Sequence, residues 1–295
     1  MTATSKINVL LILTFNVFTI NAQNIHPLEP AKNHYAELME YSDKPNPARA
    51  KLDEIKFPPA KYSSGTLIYT MVAPHYLSPE QVSTLKTSLQ FPASSSDQTR
   101  KELDYLLEWQ EKRTRDQEYR SSNILAPIGY WPHADVLESH ERYAENLKHL
   151  FYEGRTVMGE HVTVENYPAT AQLMRGITKD MRIMEFTVKY HLMRPRPYHL
   201  EPKLNPLARI SSPSYASGHT LWAYIQAFAW SELIPEKRKE FLDVAYEVGE
   251  SREIMGIHYP SDEEAARILA HKMLTAMLSN EEFRQDLKNA KQEWN

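Results

Sequence analysis

The sequence predicts an all-α protein, a helical bundle, and three observations carry that prediction. Only 8 of the 295 residues are glycine, against roughly 7% in average usage. A β-sandwich or barrel needs turn glycines, and a doubly wound nucleotide fold needs a glycine-rich phosphate turn. Neither G-x-G-x-x-G nor a P-loop occurs. Apolar residues recur at three- and four-residue spacing behind helix-start signals, and no alternating run is long enough for a core strand.

In chain order, Lys6 precedes an apolar stretch from Ile7 to Ile20 that ends in Asn21-Ala22-Gln23. This order predicts a secretory signal peptide over residues 1–22, with Ala22 at the cleavage point and a periplasmic or secreted product. No later segment is apolar enough to span a membrane, so no span is expected in the mature chain. Residues 23–75, rich in Pro and Tyr, predict an extended N-terminal arm, and residues 76–295 a helical domain.

Ser78-Pro79-Glu80-Gln81 offers a hydroxyl at the N-cap, Pro at the first helical position and Gln at N3. Asp97 opens a stretch with Leu103, Leu106, Leu107 and Trp109 at helical spacing, followed by a charged run from Glu111 to Arg120 that reads as an exposed helix face. Residues 121–133 read as a loop and Ala134 to Tyr152 as a helix. Leu173, Ile177, Met181, Met184, Val188 and Leu192 place one apolar stripe on a long helix that Pro195 and Pro197 terminate. Four more helices are expected: one after His219, one from about Pro235 to Glu250, one capped by Ser261 with Glu264 at N3, and one capped by Ser279 with Glu282 at N3.

The 42% hydrophobic content supports a sizeable core. The formal charge of −4 provides no global basic field for nucleic acid. With no cysteine there are neither disulfides nor thiolate metal sites.

Three blocks carry the chemistry: Lys189 to Pro197, Ser214 to Thr220, and Ser251-Arg252 followed by His258 and Asp262. Singly, each has a bland reading as a solvated helix end or a first-turn acid. Together they supply what phosphoryl transfer needs without a metal or cofactor. Lys189, Arg196 and Arg252 are three cations, and the guanidiniums match phosphate geometry. Ser217 and Gly218, ahead of a helix, can present backbone N–H groups to the phosphate. Asp262, four residues beyond His258, can hold one ring nitrogen and leave the other to attack. His219 remains as general acid.

The pattern K-x6-R-P, then S-G-H, then S-R-x5-H-x3-D resembles the signature of the type 2 phosphatidic acid phosphatase superfamily. With its leader, the chain is similar to the bacterial class A non-specific acid phosphatases. The likeness runs from about Thr178 to Asn295 and fades upstream. It implies a helical bundle of the acid phosphatase/vanadium haloperoxidase type. It also implies a phosphohistidine on His258, orientation by Asp262, protonation of the leaving alcohol by His219, and phosphate held by Lys189, Arg196, Ser217, Gly218 and Arg252. Of the two Arg-Pro pairs only Arg196 has the family distance from Lys189, which leaves Arg194 as a supporting or surface cation. Ala216 stands where relatives have Pro, which predicts a looser phosphate loop.

The expected activity is hydrolysis of small phosphomonoesters, with phosphate and vanadate as inhibitors; the sequence is compatible with homo-oligomers. The alternatives are a vanadium-dependent haloperoxidase, a lipid or isoprenyl-diphosphate phosphatase, and a phosphate-binding protein that has lost catalysis. His191 and His133 carry no assigned role, His133 fitting either a substrate entrance or a structural loop.

Overall fold

The computed structural model describes residues 24–57, 64–128 and 149–294. The expected leader, His133 and most of the helix expected from Ala134 to Tyr152 lie outside the described residues. Every regular element among the described residues is helical.

The N-terminal segment carries one short helix, α1 (Asn33–Leu38), and a 3-10 turn at Pro47–Glu54. Two helical turns, Ser64–Leu67 and Ile68–Met71, follow. α2 (Pro79–Thr87) has the expected capping box in full: Ser78 Oγ accepts from Gln81 N–H, and Gln81 reaches back to the Ser78 N–H. α3 (Asp97–Lys112) is capped by Ser96 and buries Leu103 and Leu106.

The charged run beyond it is not one exposed face. The chain turns extended at Arg113 and restarts as α4 (Arg115–Tyr119), capped by Thr114. Arg113 donates to the carbonyls of Ile254 and Asn205, so tertiary partners take this cation out of solvent and break the helix. A π-helical turn, Arg120–Leu125, covers the start of the expected loop.

α5 (Tyr152–Met158) and the 25-residue α6 (Pro168–Leu192) come next. On α6, Leu173, Ile177, Met181, Met184 and Val188 are fully buried, as their spacing requires. Met193 in the left-handed region (φ 57°) ends the helix two residues ahead of Pro195. α7 (Pro197–Leu200) is a single turn.

α8 (Gly218–Leu233) is the centre of the molecule. Every residue in it except His219 is buried, and it packs against α6, α9 (Arg238–Ile254) and α10 (Pro260–Met277). A helix that is apolar all round must lie inside the bundle. α11 (Glu281–Gln292) packs back along α6, and the Glu293 carboxylate just beyond it accepts the Ala169 and Thr170 N–H groups at the start of α6, both at 2.8 Å.

Two caps differ from the sequence reading. α10 starts at Pro260, which places Asp262 rather than Glu264 at N3, where its carboxylate accepts from the Tyr259 N–H at 3.1 Å. α11 is capped by Asn280, whose side chain accepts from Phe283 N–H at 3.0 Å, in place of Ser279. An amide oxygen one residue nearer the helix meets the exposed donors better than the serine hydroxyl.

Residues 24–57 lie over this bundle. The Glu29 carboxylate accepts from Arg238 at 2.7 Å and its carbonyl from Arg267 at 2.8 Å, which ties the segment across α9 and α10.

Candidate active site

The C-terminal end of α6, the N-termini of α8 and α10, and the last turn of α9 meet at one end of the bundle. α9 runs one turn further than its sequence pattern suggested, which carries Ser251 and Arg252 onto the helix. A tight turn at Gly256 (φ 69°) then reverses the chain into α10. Between these ends lies a cavity of about 450 Å³, and Lys189, Arg196, Gly218, His219, Arg252 and His258 all line it. Six of the eight sequence-derived site residues therefore share one cavity.

Asp262 stands behind His258. Its Oδ2 faces His258 Nδ1 at 3.0 Å and accepts from Ser214 Oγ at 2.5 Å, while Oδ1 accepts from Arg194 at 2.7 Å. Burial alone would raise this carboxyl, but Arg194, His258 and Ser214 hold it well below the usual carboxylate range. An ionised Asp262 accepts only, so Nδ1 carries the ring proton. His258 Nε2 is then the acceptor, and its lone pair takes a hydrogen bond from an Arg196 guanidinium N–H at 2.8 Å at the cavity wall. Burial, and then Arg196, push the His258 pKa well below its ordinary value and keep the imidazole neutral.

The cations are buried and pre-positioned. Lys189 donates to the carbonyls of Pro213 and Ser214 at 3.0 and 3.1 Å. Its pKa is lowered to about 7, first by burial and then by Arg196. Arg196 donates to Ser212 O and Ile257 O, and Arg252 to Ser121 O and Ser251 Oγ. Guanidiniums anchored on carbonyls keep their charge while their orientation is set in advance, which suits stabilisation of a developing anion.

Ser217 departs from its expected place. Its N–H donates to the Asp262 carbonyl at 3.1 Å and its hydroxyl pairs with Thr220 Oγ1 at 3.0 Å. It is the N-cap of α8 and holds α8 to α10, while Gly218 is the residue of this pair that lines the cavity. The loop bearing Ala216 is held by the bonds from Lys189 and from Ser217, together with Ser214 N–H to the Arg194 carbonyl at 3.0 Å. His219 Nε2 donates to the Ala126 carbonyl at 2.8 Å. Burial, and then Arg252, push its pKa well below the ordinary histidine value.

The structure adds residues that the sequence reading missed or left open. Arg194 is no surface cation: it is 1% exposed, sits between Asp262 and Glu102, and stacks its guanidinium 3.8 Å from the Tyr259 ring centre. Glu102, fully buried on α3, accepts from Arg194 at 3.2 Å and from Ser261 N–H at 2.8 Å. Arg182 and Glu185 also line the cavity. Their spacing from Lys189, seven and four residues, places all three on one face of α6, and that periodicity was the available signal. Among the described residues, His75, Glu282 and Asp286 could share a metal ion, but none of them lines this cavity.

The chain is similar to a non-specific acid phosphatase of Providencia stuartii, 32% identical over 142 residues that cover 46% of this chain and 57% of the relative. It is similar to a non-specific acid phosphatase of Salmonella typhimurium, 27% identical over 158 residues covering 51% and 62%. The matched stretches thus span about three fifths of those relatives. Among solved structures, a transmembrane PAP2 type phosphatidylglycerolphosphate phosphatase from Bacillus subtilis aligns over 67% of this chain and 88% of that one, with 18% identity and a TM-score of 0.41. A bacterial vanadium-dependent iodoperoxidase aligns over 61% and 48%, with 16% identity and a TM-score of 0.42. The PAP2 superfamily profile matches residues 170–285. That matched stretch holds the cavity-lining cations Arg182, Lys189, Arg196 and Arg252 and both histidines of the cavity.

Proposed function

We propose that the chain is a secreted, metal-independent acid phosphatase that hydrolyses phosphomonoesters through a phosphohistidine on His258. The observation that carries this reading is the His258 ring, with Nδ1 on Asp262 and Nε2 turned toward Arg196 inside a cavity lined by cations.

In this mechanism the Nε2 lone pair attacks phosphorus, the N–P bond forms, and the bond from phosphorus to the ester oxygen breaks. Lys189, Arg196 and Arg252 take up charge developing on the phosphoryl oxygens. His219 passes a proton to the departing alkoxide. With Nε2–H on the Ala126 carbonyl, that proton is carried on Nδ1. Burial, and then Arg252, hold the His219 pKa well below its ordinary value, and the negative charge of an entering phosphate raises it toward the value an acid needs. Water then attacks phosphorus, the N–P bond breaks, and His219 recovers a proton from the water.

Tyr69 stacks on Phe186 with ring centres 5.4 Å apart at the cavity wall. An apolar wall of this kind supports a broad range of alcohol leaving groups on one fixed phosphoryl group. The similarity to non-specific acid phosphatases supports the same reading. The leader-like residues 1–22 support export to the periplasm or medium.

The test is the His258→Ala variant with a chromogenic phosphate ester. Turnover is expected to fall by several orders of magnitude, and rapid quench of the wild type is expected to trap an acid-labile phosphoenzyme that the variant does not form. Near-normal hydrolysis by the variant would overturn the assignment. Halide oxidation by peroxide after vanadate loading, in the absence of phosphatase activity, would replace it with a haloperoxidase.

A further inference from the structure

Glu185 is the single carboxylate among the described residues that line the cavity, facing Arg182, Lys189, Arg196 and Arg252. It stands on α6 one turn before Lys189 and is 6% exposed. One carboxylate oxygen accepts from Arg182. The other lies against Gly218, so close that a methyl group on residue 218 would run into it. Gly218 is the first residue of the 16-residue α8. The first N–H groups of a helix have no acceptor within the helix, and its positive end favours an anion.

The carboxylate therefore occupies the corner of the cavity where an incoming phosphate would meet the start of α8. A charge this deeply buried needs compensation, and Arg182 supplies it. Pairing with Arg182 alone does not account for the contact with Gly218, because an i, i+3 pair on α6 does not require the carboxylate to reach another helix.

We propose that Glu185 is an internal anion that phosphate must displace, and that it thereby sets the affinity of the site. This rests on the phosphatase reading above. Four cations and a helix N-terminus would hold inorganic phosphate tightly enough to slow its departure after the phosphohistidine is hydrolysed. A tethered carboxylate returning to the same corner offsets that attraction and speeds release.

Two variants separate this role from a structural one. Glu185→Gln keeps an acceptor for Arg182 and removes the charge. Glu185→Asp keeps the charge and the pair on α6 but withdraws the carboxylate from Gly218 by one methylene. Binding of inorganic phosphate is measured by calorimetry, together with KM, kcat and the phosphate inhibition constant for a chromogenic ester. Both variants are expected to bind phosphate at least about tenfold more tightly, with a lower KM and a kcat reduced by slower release. Unchanged or weaker phosphate binding in a folded variant, beside a wild type that binds phosphate and turns over, would overturn the role of Glu185 alone. A wild type that binds neither phosphate nor vanadate and hydrolyses nothing would overturn both this role and the phosphatase reading.

Discussion

Arg194 and Asp262 are joined by a 2.7 Å ion pair from which water is almost wholly excluded, and Glu102 closes the far side of the same guanidinium at 3.2 Å. His258 is thus held by Asp262, Asp262 by Arg194, and Arg194 by a helix outside the matched PAP2 region. Replacing Arg194 by Met leaves two buried carboxylates without their shared cation. The expected cost is about 3–5 kcal/mol of stability, measured by urea denaturation. A loss under about 1 kcal/mol would mean that the pair is not what holds Asp262.

Asp262→Asn tests the orientation of His258. Ser214 Oγ, the Tyr259 N–H and His258 Nδ1 all converge on one carboxylate oxygen. An amide nitrogen turned toward them favours the tautomer with the proton on Nε2, which removes the lone pair that the proposed attack on phosphorus uses. We expect kcat to fall by about four orders of magnitude, as when the carboxylate of a hydrolase triad is amidated. A variant with kcat within tenfold of the wild type would show that Asp262 does not set the tautomer.

Lys189 titrates at about 7 in the folded protein against 10.5 unperturbed, through burial and then Arg196. Bound phosphate favours its charged form, so binding above pH 7 takes up a proton. Calorimetry in buffers of different ionisation enthalpy should register that uptake. The Lys189→Met variant should lose most of it along with phosphate affinity. Equal uptake in both proteins would place the titrating group elsewhere.

The histidines make a prediction about acid stability. Both His219 and His258 have pKa values well below 6.5 in the folded protein, for which burial is the first cause. The unfolded chain therefore binds more protons once the pH drops below about 6.5. Their contribution is fully present above that pH and is lost below it, by up to about 1.4 kcal/mol per pH unit for each group. Tm measured against pH should fall in this range, and the fall should be shallower when both histidines are replaced by Ala. A slope unaffected by the replacements would assign acid instability to other groups.

Much of the site was legible because its residues sit at helix ends, where local spacing decides which side chains share a surface. His258 and Asp262 are one turn apart, and Lys189 and Arg196 bracket a helix terminus, so their pairing is nearly local. Arg182 and Glu185 were legible in principle by the same periodicity. They passed unread because the apolar stripe beside them accounted for α6. Glu102 offered no signal, since 92 residues separate it from Arg194 and only the packing of α3 brings them together.

The sequence by itself determined that the chain is helical, where the apolar stripe of α6 lies, and which residues could handle a phosphoryl group. Those properties follow from glycine content, periodicity, capping chemistry and the charge of side chains, all of which act over a few residues. Only the tertiary structure decided the remainder. Ser217 ties two helices together while Gly218 faces the cavity, Arg194 is buried between two carboxylates, and Glu185 lies at the start of α8. Each depends on which helix is packed against which, a matter of long-range burial that short-range spacing does not encode.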